Sequence, residues 1–231
     1  MLISLTLVRY RKRAVFFALL AMAIHRLPLW LDRRCSFWKL LGSGRNGTFD
    51  KTPDWQQWGL LATWETRADF IDFHEKSFIS RWWRTFGAER YTMLCEPLES
   101  HGKWSGKQPF PSPGFAGYTG PVAILTRAQI RFSRLKNFWS HVDAVAARMR
   151  TAPGFVYSAG VGEAPLYLQA TFSVWKSLDD VKQFAYRERE HADVVRKTRE
   201  ENWYSEELFA RFKPIEVFGT IKGENPLQSI V

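Results

Sequence analysis

Two ten-residue stretches, WETRADFIDF at Trp64–Phe73 and WKSLDDVKQF at Trp175–Phe184, carry the same local design 111 residues apart. In each, a tryptophan closes an apolar run, Thr66 or Ser177 stands where a helix cap belongs, and Asp69 or Asp180 follows three residues on. That is the pattern of a capping box opening a helix. A repeat at this spacing constrains the fold more than composition does, because each copy must be one structural unit. FWKLLGSG (Phe37–Gly44) answers FVYSAGVG (Phe155–Gly162), both ending in G-x-G, and VRY at Val8–Tyr10 answers IRF at Ile130–Phe132. Each half then reads strand, helix, strand, strand, helix, strand, over about 3–98 and 121–219, which is the ferredoxin-like order. The expected fold is α+β: two tandem ferredoxin-like (βαββαβ) repeats forming a pseudo-twofold α+β barrel, with helices outside and a pocket between the sheets. The expected division is 1–100 for the first half, 101–120 for a Gly/Pro-rich linker, 121–219 for the second half and 220–231 for a tail.

Composition narrows the chemistry. With 231 residues, 45% hydrophobic, the chain can bury a full core. Its 11 Trp and 18 Phe suit the walls of a pocket for a flat or elongated apolar ligand, and equally an aromatic core. Cys35 and Cys95 are too few and too far apart for a disulfide framework or a zinc cluster, which suits a reducing cytoplasm. HExxH, GxSxG and GxxxxGK[ST] are all absent, so zinc-hydrolase, serine-hydrolase and P-loop readings fall away. The G-x-G segments lack the GxGxxG form and read as bulges or turns rather than a nucleotide cradle.

The net charge of +10 is concentrated near the N-terminus, where residues 1–45 hold nine Lys or Arg and one acid, Asp32. No nucleic-acid-binding signature accompanies it, so nucleic acid is not expected as a partner. The basic N-terminal region is instead a candidate for peripheral contact with an anionic membrane, or an ordinary solvated face. AVFFALLAMAI (Ala14–Ile24) follows RKR, but its eleven apolar residues fall short of a span of roughly 20. ISLTLVRY ahead of it alternates like a strand, so the segment is expected to be a buried or membrane-facing helix.

Three groups of residues are candidates for a site. On the helix that follows Trp175, His191 stands seven residues after Phe184 and four before Val195, which puts its imidazole on the inner stripe. It is either a hydrogen-bonded core side chain or a metal or haem ligand. In VAILTRAQIRF, period two places Val122, Ile124, Thr126, Ala128, Ile130 and Phe132 toward helices and sends Ala123, Leu125, Arg127, Gln129 and Arg131 into the barrel. Arg127 is therefore a candidate to hold a carboxylate or polarise a bound group. Gln169, Thr171 and Ser173 share one face of LQATFSVW, and with Trp203 and Tyr204 they are the substrate-pocket candidates; Phe209 and Phe212 extend the aromatic wall.

Taken in order, FWKLLGSG, GKWSGKQPF, AILTRAQIRF, GVGEAPLYLQATFSVW and NWYSEELFARF resemble the spheroidene monooxygenase family, bacterial haem-containing carotenoid oxygenases, from about Phe37 to Phe212. The N-terminal 36 residues, the helix around Phe70–Phe86 and the tail match more loosely. The resemblance implies oxygen insertion into a carotenoid or similar long apolar substrate, using haem iron, O2 and an electron donor such as ferredoxin. It aligns His191 with a histidine of the second-half helix, making it the axial-ligand candidate, with Phe184 and Val195 beside the haem and Arg127 toward a propionate or the bound oxygen. A histidine ligand lacks the push of a thiolate, so a polar group on the opposite side matters more. Two further readings stay open: haem dehydratase or peroxide-type chemistry on the same barrel, or a non-catalytic basic module binding lipid or nucleic acid.

Overall fold

A computed structural model describes residues 1–45, 51–115, 117–187, 196–198 and 200–228. The first half runs β1 (Leu2–Tyr10), α1 (Val15–Ile24), α2 (Arg26–Leu31), β2 (Trp38–Gly44), β3 (Pro53–Trp64), α3 (Arg67–Lys76), α4 (Phe78–Phe86) and β4 (Gly87–Gly102). The second runs β5 (Val122–Ile130), α5 (Leu135–Thr151), β6 (Phe155–Ala164), β7 (Leu168–Trp175), α6 (Leu178–Arg187) and β8 (Tyr204–Gly219). The strands close into one antiparallel barrel in the order β1-β3-β2-β6-β7-β5-β8-β4. The two halves are therefore ferredoxin-like repeats of an α+β barrel, as the sequence repeats require.

The repeated caps form as written. Thr66 accepts the backbone N–H of Asp69 in a complete capping box, and the Ser177 hydroxyl accepts the N–H of Asp180 at 3.2 Å. The two G-x-G segments meet each other: Gly42 lies opposite Gly162 and Ser43 opposite Val161, so the barrel closes across its pseudo-twofold through these short stretches. A Cβ on Gly162 would stand 2.6 Å from the Leu168 carbonyl oxygen, which explains why glycine is needed there.

Period-two alternation sorts the strands into two layers. Ile3, Leu5 and Leu7 of β1 and Ala123, Leu125 and Arg127 of β5 point inward, while Val8, Tyr10, Val122, Ile124, Ala128 and Ile130 pack beneath helices. An eight-stranded barrel is wide enough for its own side chains or for one small ligand. Ile3, Leu5, Met93, Phe172, Ala210 and Phe212 fill it, with the Phe172 and Phe212 rings stacked 5.9 Å apart. The pocket expected between the sheets is thus a packed core.

The segments expected as linker and tail finish that core. GKWSGKQPF (Gly102–Phe110) and GTIKGENPL (Gly219–Leu227) are a further repeat, offset by 117 residues. Each leaves its strand at a glycine of positive φ and turns so that Trp104 bridges Lys107 and Ile221 bridges Glu224. Each then buries Trp104 and Phe110, or Ile221 and Leu227, in the barrel core. The turn amides of Ser105 and Gly106 are held by Glu206, and those of Lys222 and Gly223 by Glu89. Gly102 and Gly219 lie at opposite ends of the β4–β8 ladder, so the two plugs cap opposite ends of the barrel.

Candidate functional site

The outer face of the second-half sheet is covered by α5 and α6. Residues Phe138, Trp139, Val142, Ala146 and Met149 form the buried stripe of α5, and Val181 and Phe184 that of α6. These side chains build two separate apolar clusters. One gathers Val122, Ile124, Met149, Trp175, Val181 and Phe184; the other gathers Ala128, Ile130, Phe138, Trp139, Val142 and Trp203. Between them on β5 stands Thr126, the central residue of the outward row, which is exposed. Its cross-strand neighbours on the same face are Thr171 of β7 and Phe209 of β8, and Gly160 of β6 lies beyond Thr171. Among the described residues this leaves a slot between the two clusters, floored by small and hydroxyl-bearing residues. The buried Thr171 Oγ1 has no hydrogen-bond partner among the described residues, which is costly unless something in the slot supplies one.

The sequence candidates divide around this slot. Phe184 is in one flanking cluster, 5.2 Å ring to ring from Trp175. Thr171 is in its floor. Ser173 and Gln169 share that outer face but are engaged: Ser173 Oγ accepts from Trp175 Nε1 at 3.0 Å, and Gln169 Nε2 donates to the Ala164 carbonyl at 3.2 Å. Trp203 is buried at the far cluster and donates from Nε1 to Glu201 at 2.9 Å. Tyr204 packs 6.2 Å from Phe138, and burial pushes its phenol up to about 12. Phe209 borders the same face, whereas Phe212 belongs to the barrel core, so they do not form one wall. His191 and Val195 lie outside the described residues.

Arg127 is on the other side of the sheet. Its guanidinium, 3% exposed, pairs with Glu206, approaches Glu163 Oε2 at 3.8 Å and sits 5.6 Å over the Trp104 ring. Glu163 also accepts from Trp104 Nε1 at 2.6 Å and from Lys39 Nζ at 2.7 Å. Burial pushes the Glu206 carboxyl up, but the Gly106 and Ser105 amides and Arg127 outweigh it and leave it lowered. Arg127 therefore fastens the Trp104 plug; the structure does not bring it together with Phe184 or Thr171. Strand parity did place it inward, but the inward face is core, not pocket.

The other histidines are committed elsewhere. Burial pushes His25 down to about 4 inside the first half. His74 is lowered to about 4 by burial and by Arg90 and Arg84. His101 contacts Glu99 at 2.7 Å, and His141 Nδ1 lies 2.8 Å from the Asn137 carbonyl. No group of three or more His, Cys, Asp or Glu arranged for a metal ion occurs among the described residues. Thr126 was legible as an outward residue, but that it stands exposed between two clusters of the described residues is something one strand cannot reveal.

Comparison with known proteins adds three kinds of likeness. The family described as Domain of unknown function (DUF3291) matches residues 122–211. The spheroidene monooxygenase of Rhodobacter capsulatus is 35% identical over 217 residues, covering 91% of this chain and 88% of that one. That of Cereibacter sphaeroides is 33% identical over 207 residues, 89% of this chain and 62% of that one. Rubrivivax gelatinosus has one 35% identical over 188 residues, covering 81% and 72%. Among solved structures, an aldoxime dehydratase crystallised with butyraldoxime superposes over 100% of this chain and 85% of its own, with TM-score 0.62 and 10% identity. A second aldoxime dehydratase gives 0.62 at 12% identity, over 100% and 88%. At such identity these two speak for the fold alone.

Proposed function

This chain belongs to the spheroidene monooxygenase family and is a monooxygenase acting on a carotenoid; from that premise we propose that it is haem-dependent and holds its haem in the slot over Thr126 and Thr171. The observation that carries this reading is the interruption, among the described residues, of the second-half sheet–helix core at Thr126, where a buried hydroxyl, Thr171 Oγ1, is left without a partner among them. The residues present fit the group. Apolar clusters flank the slot, with Trp175, Val181 and Phe184 in one and Phe138 and Trp139 in the other, the surroundings a macrocycle requires. His191, which lies outside the described residues, is assigned as the haem ligand by the family likeness. Val195, four residues further, would flank it.

Bound haem would supply activation of O2 and insertion of one oxygen atom into the polyene, and because the second atom leaves as water, an external reductant of the ferredoxin class is part of the reading. The chain's own work is positional. On the sheet side of the slot the Thr171 hydroxyl would hold a proton it can donate into the site, and Thr126 would supply a second. The apolar clusters would exclude water and favour a long hydrocarbon, with Trp203 and Tyr204 bounding the far end. Gln169 and Ser173 flank Thr171 on the same face of β7. A cytoplasmic setting suits Cys35 and Cys95, both free and buried.

The test is the absorbance spectrum of the full-length protein from haem-replete cells, beside His191→Ala and Thr126→Phe. A Soret band in the wild type that is lost in His191→Ala and sharply reduced in Thr126→Phe, where the added ring fills the slot, is the expected result. No Soret band in the wild type, or an unchanged band in both variants, overturns the assignment.

A further inference from the structure

A 20-residue helical stretch, Lys12–Leu31, made of a single 3-10 turn, α1 and α2, is inverted in its use of size. The row it turns toward the first-half sheet is Ala14, Ala18, Ala21, His25 and Leu29, mostly small and all buried. The row it turns to solvent is Phe16, Leu19, Ile24, Leu27, Trp30 and Leu31, with Trp30 76%, Phe16 68% and Leu27 61% exposed. Nearby Phe78 of α4 is exposed as well, 6.3 Å ring to ring from His25. A helix that served only its own core would bury the large residues and expose the small ones.

The rim of this apolar ridge is cationic. Arg11, Lys12, Arg13, Arg26 and Arg33 are all exposed, as are Arg81 and Arg84 of α4. The one acid beside the ridge in sequence, Asp32, is paired with Arg34 at 2.8 Å. The repeat supplies an internal control. The counterpart helix α5 buries Phe138, Trp139, Val142 and Met149 and exposes Lys136, Asn137, Ser140 and Asp143, the ordinary arrangement for a solvated helix. The inverted pattern is therefore a property of α1 and α2 and not of the fold.

We propose that α1–α2 is a membrane-docking ridge that lays Phe16, Leu19, Leu27, Trp30 and Leu31 into the surface of an anionic phospholipid bilayer while the surrounding arginines and lysines meet the headgroups. By length and composition the stretch could cross a membrane, but its inner row is committed to the first-half core, so it lies on the bilayer and does not thread it. This inference needs neither haem nor substrate and does not rest on the haem reading.

The experiment is flotation of the full-length protein with vesicles of phosphatidylcholine, with and without phosphatidylglycerol, at low and high salt. The wild type is expected to float with phosphatidylglycerol vesicles, with or without haem bound. The double variant Leu27→Glu/Trp30→Glu should lose binding by about tenfold or more. Lys12→Gln/Arg13→Gln/Arg33→Gln should lose on the order of a hundredfold at low salt and most of the salt sensitivity. Ala144→Glu/Ala147→Glu on α5 should bind like wild type. All substituted side chains are solvent-facing, and melting curves check that the variants stay folded. Failure of the wild type to float, or equal flotation of Leu27→Glu/Trp30→Glu, overturns the proposal. So does a wild-type dimer in sedimentation that the same variant converts to monomers without vesicle binding, which would make the ridge an interface between copies.

Discussion

The two halves repeat one architecture but seal it differently. In the first, Thr6 occupies the central outward position of β1 and is buried, its hydroxyl bonded to that of Thr92 at 2.9 Å. Around it Leu40, Leu60, Trp64, Phe70, Phe73, Ile79 and Trp83 form one continuous cluster beneath the helices. In the second, Thr126 holds the matching place in β5 and is exposed, and the described buried residues around it fall into two clusters. α3 and α4 bring four buried apolar side chains, Phe70, Phe73, Ile79 and Trp83, over the first sheet. In α6 the described buried side chains are Val181 and Phe184. Among the described residues, the first sheet–helix interface is one cluster and the second is two.

The sharpest test of that contrast removes an equivalent aromatic from each half. Phe73→Ala should destabilise the haem-free protein by about 4 kcal/mol in urea unfolding, because it leaves a cavity in a continuous cluster. Phe184→Ala, at the matching offset, should cost measurably less without haem and should weaken haem retention instead. Equal costs and unchanged haem would erase the distinction.

Acid should find the first half next. His25 is 1% exposed among the rings of Phe78, Trp82 and Trp83, with Nε2 lacking a partner among the described residues. Its folded pKa of about 4 lies below the ordinary 6.5, so above pH 6.5 it is neutral in both states and indifferent to folding. Between pH 6.5 and 4 only the unfolded chain takes up the proton, and stability falls by up to about 3 kcal/mol. Half-buried His74, also at about 4, adds to the same slope. Carboxylates lowered by their partners, such as Asp32 and Glu206, act at more acidic pH, where their protonation removes stabilisation. Denaturation followed against pH should show the slope, and His25→Gln should flatten it; an identical slope in the variant would assign it elsewhere.

The smallest effects should be the ones the halves share. Thr66→Ala and Ser177→Ala each remove a helix cap and should each cost about 1 kcal/mol. A clear inequality between them would show that the caps too have diverged.

Much of this was legible in the amino-acid order. The caps, the G-x-G strands and the parity of β1 and β5 follow from local chemistry and a two-residue period. One repeat was misaligned: VRY paired with IRF at an offset of 122, while the strands Leu2–Tyr10 and Val122–Ile130 correspond at 120. The aromatic match misled, because Tyr10 ends its strand buried whereas Phe132 begins a 3-10 turn, 72% exposed. The shift is even, so faces were unaffected. The packed barrel and the slot outside it were not legible, since both depend on how much helix arrives over each sheet. The plugs were hidden by composition: Gly, Pro and Lys read as surface linker, and only Trp104, Phe110, Ile221 and Leu227 contradict it.

Those plugs bear on how far either half is complete by itself. Each is released by a strand of one half, yet the carboxylate that clasps the turn after β4 sits on β8, and the one that clasps the turn after β8 sits on β4. A lone half would possess a stopper and a clasp that do not fit each other. Each end of the barrel is therefore closed by both halves at once, so neither half can be sealed without the other.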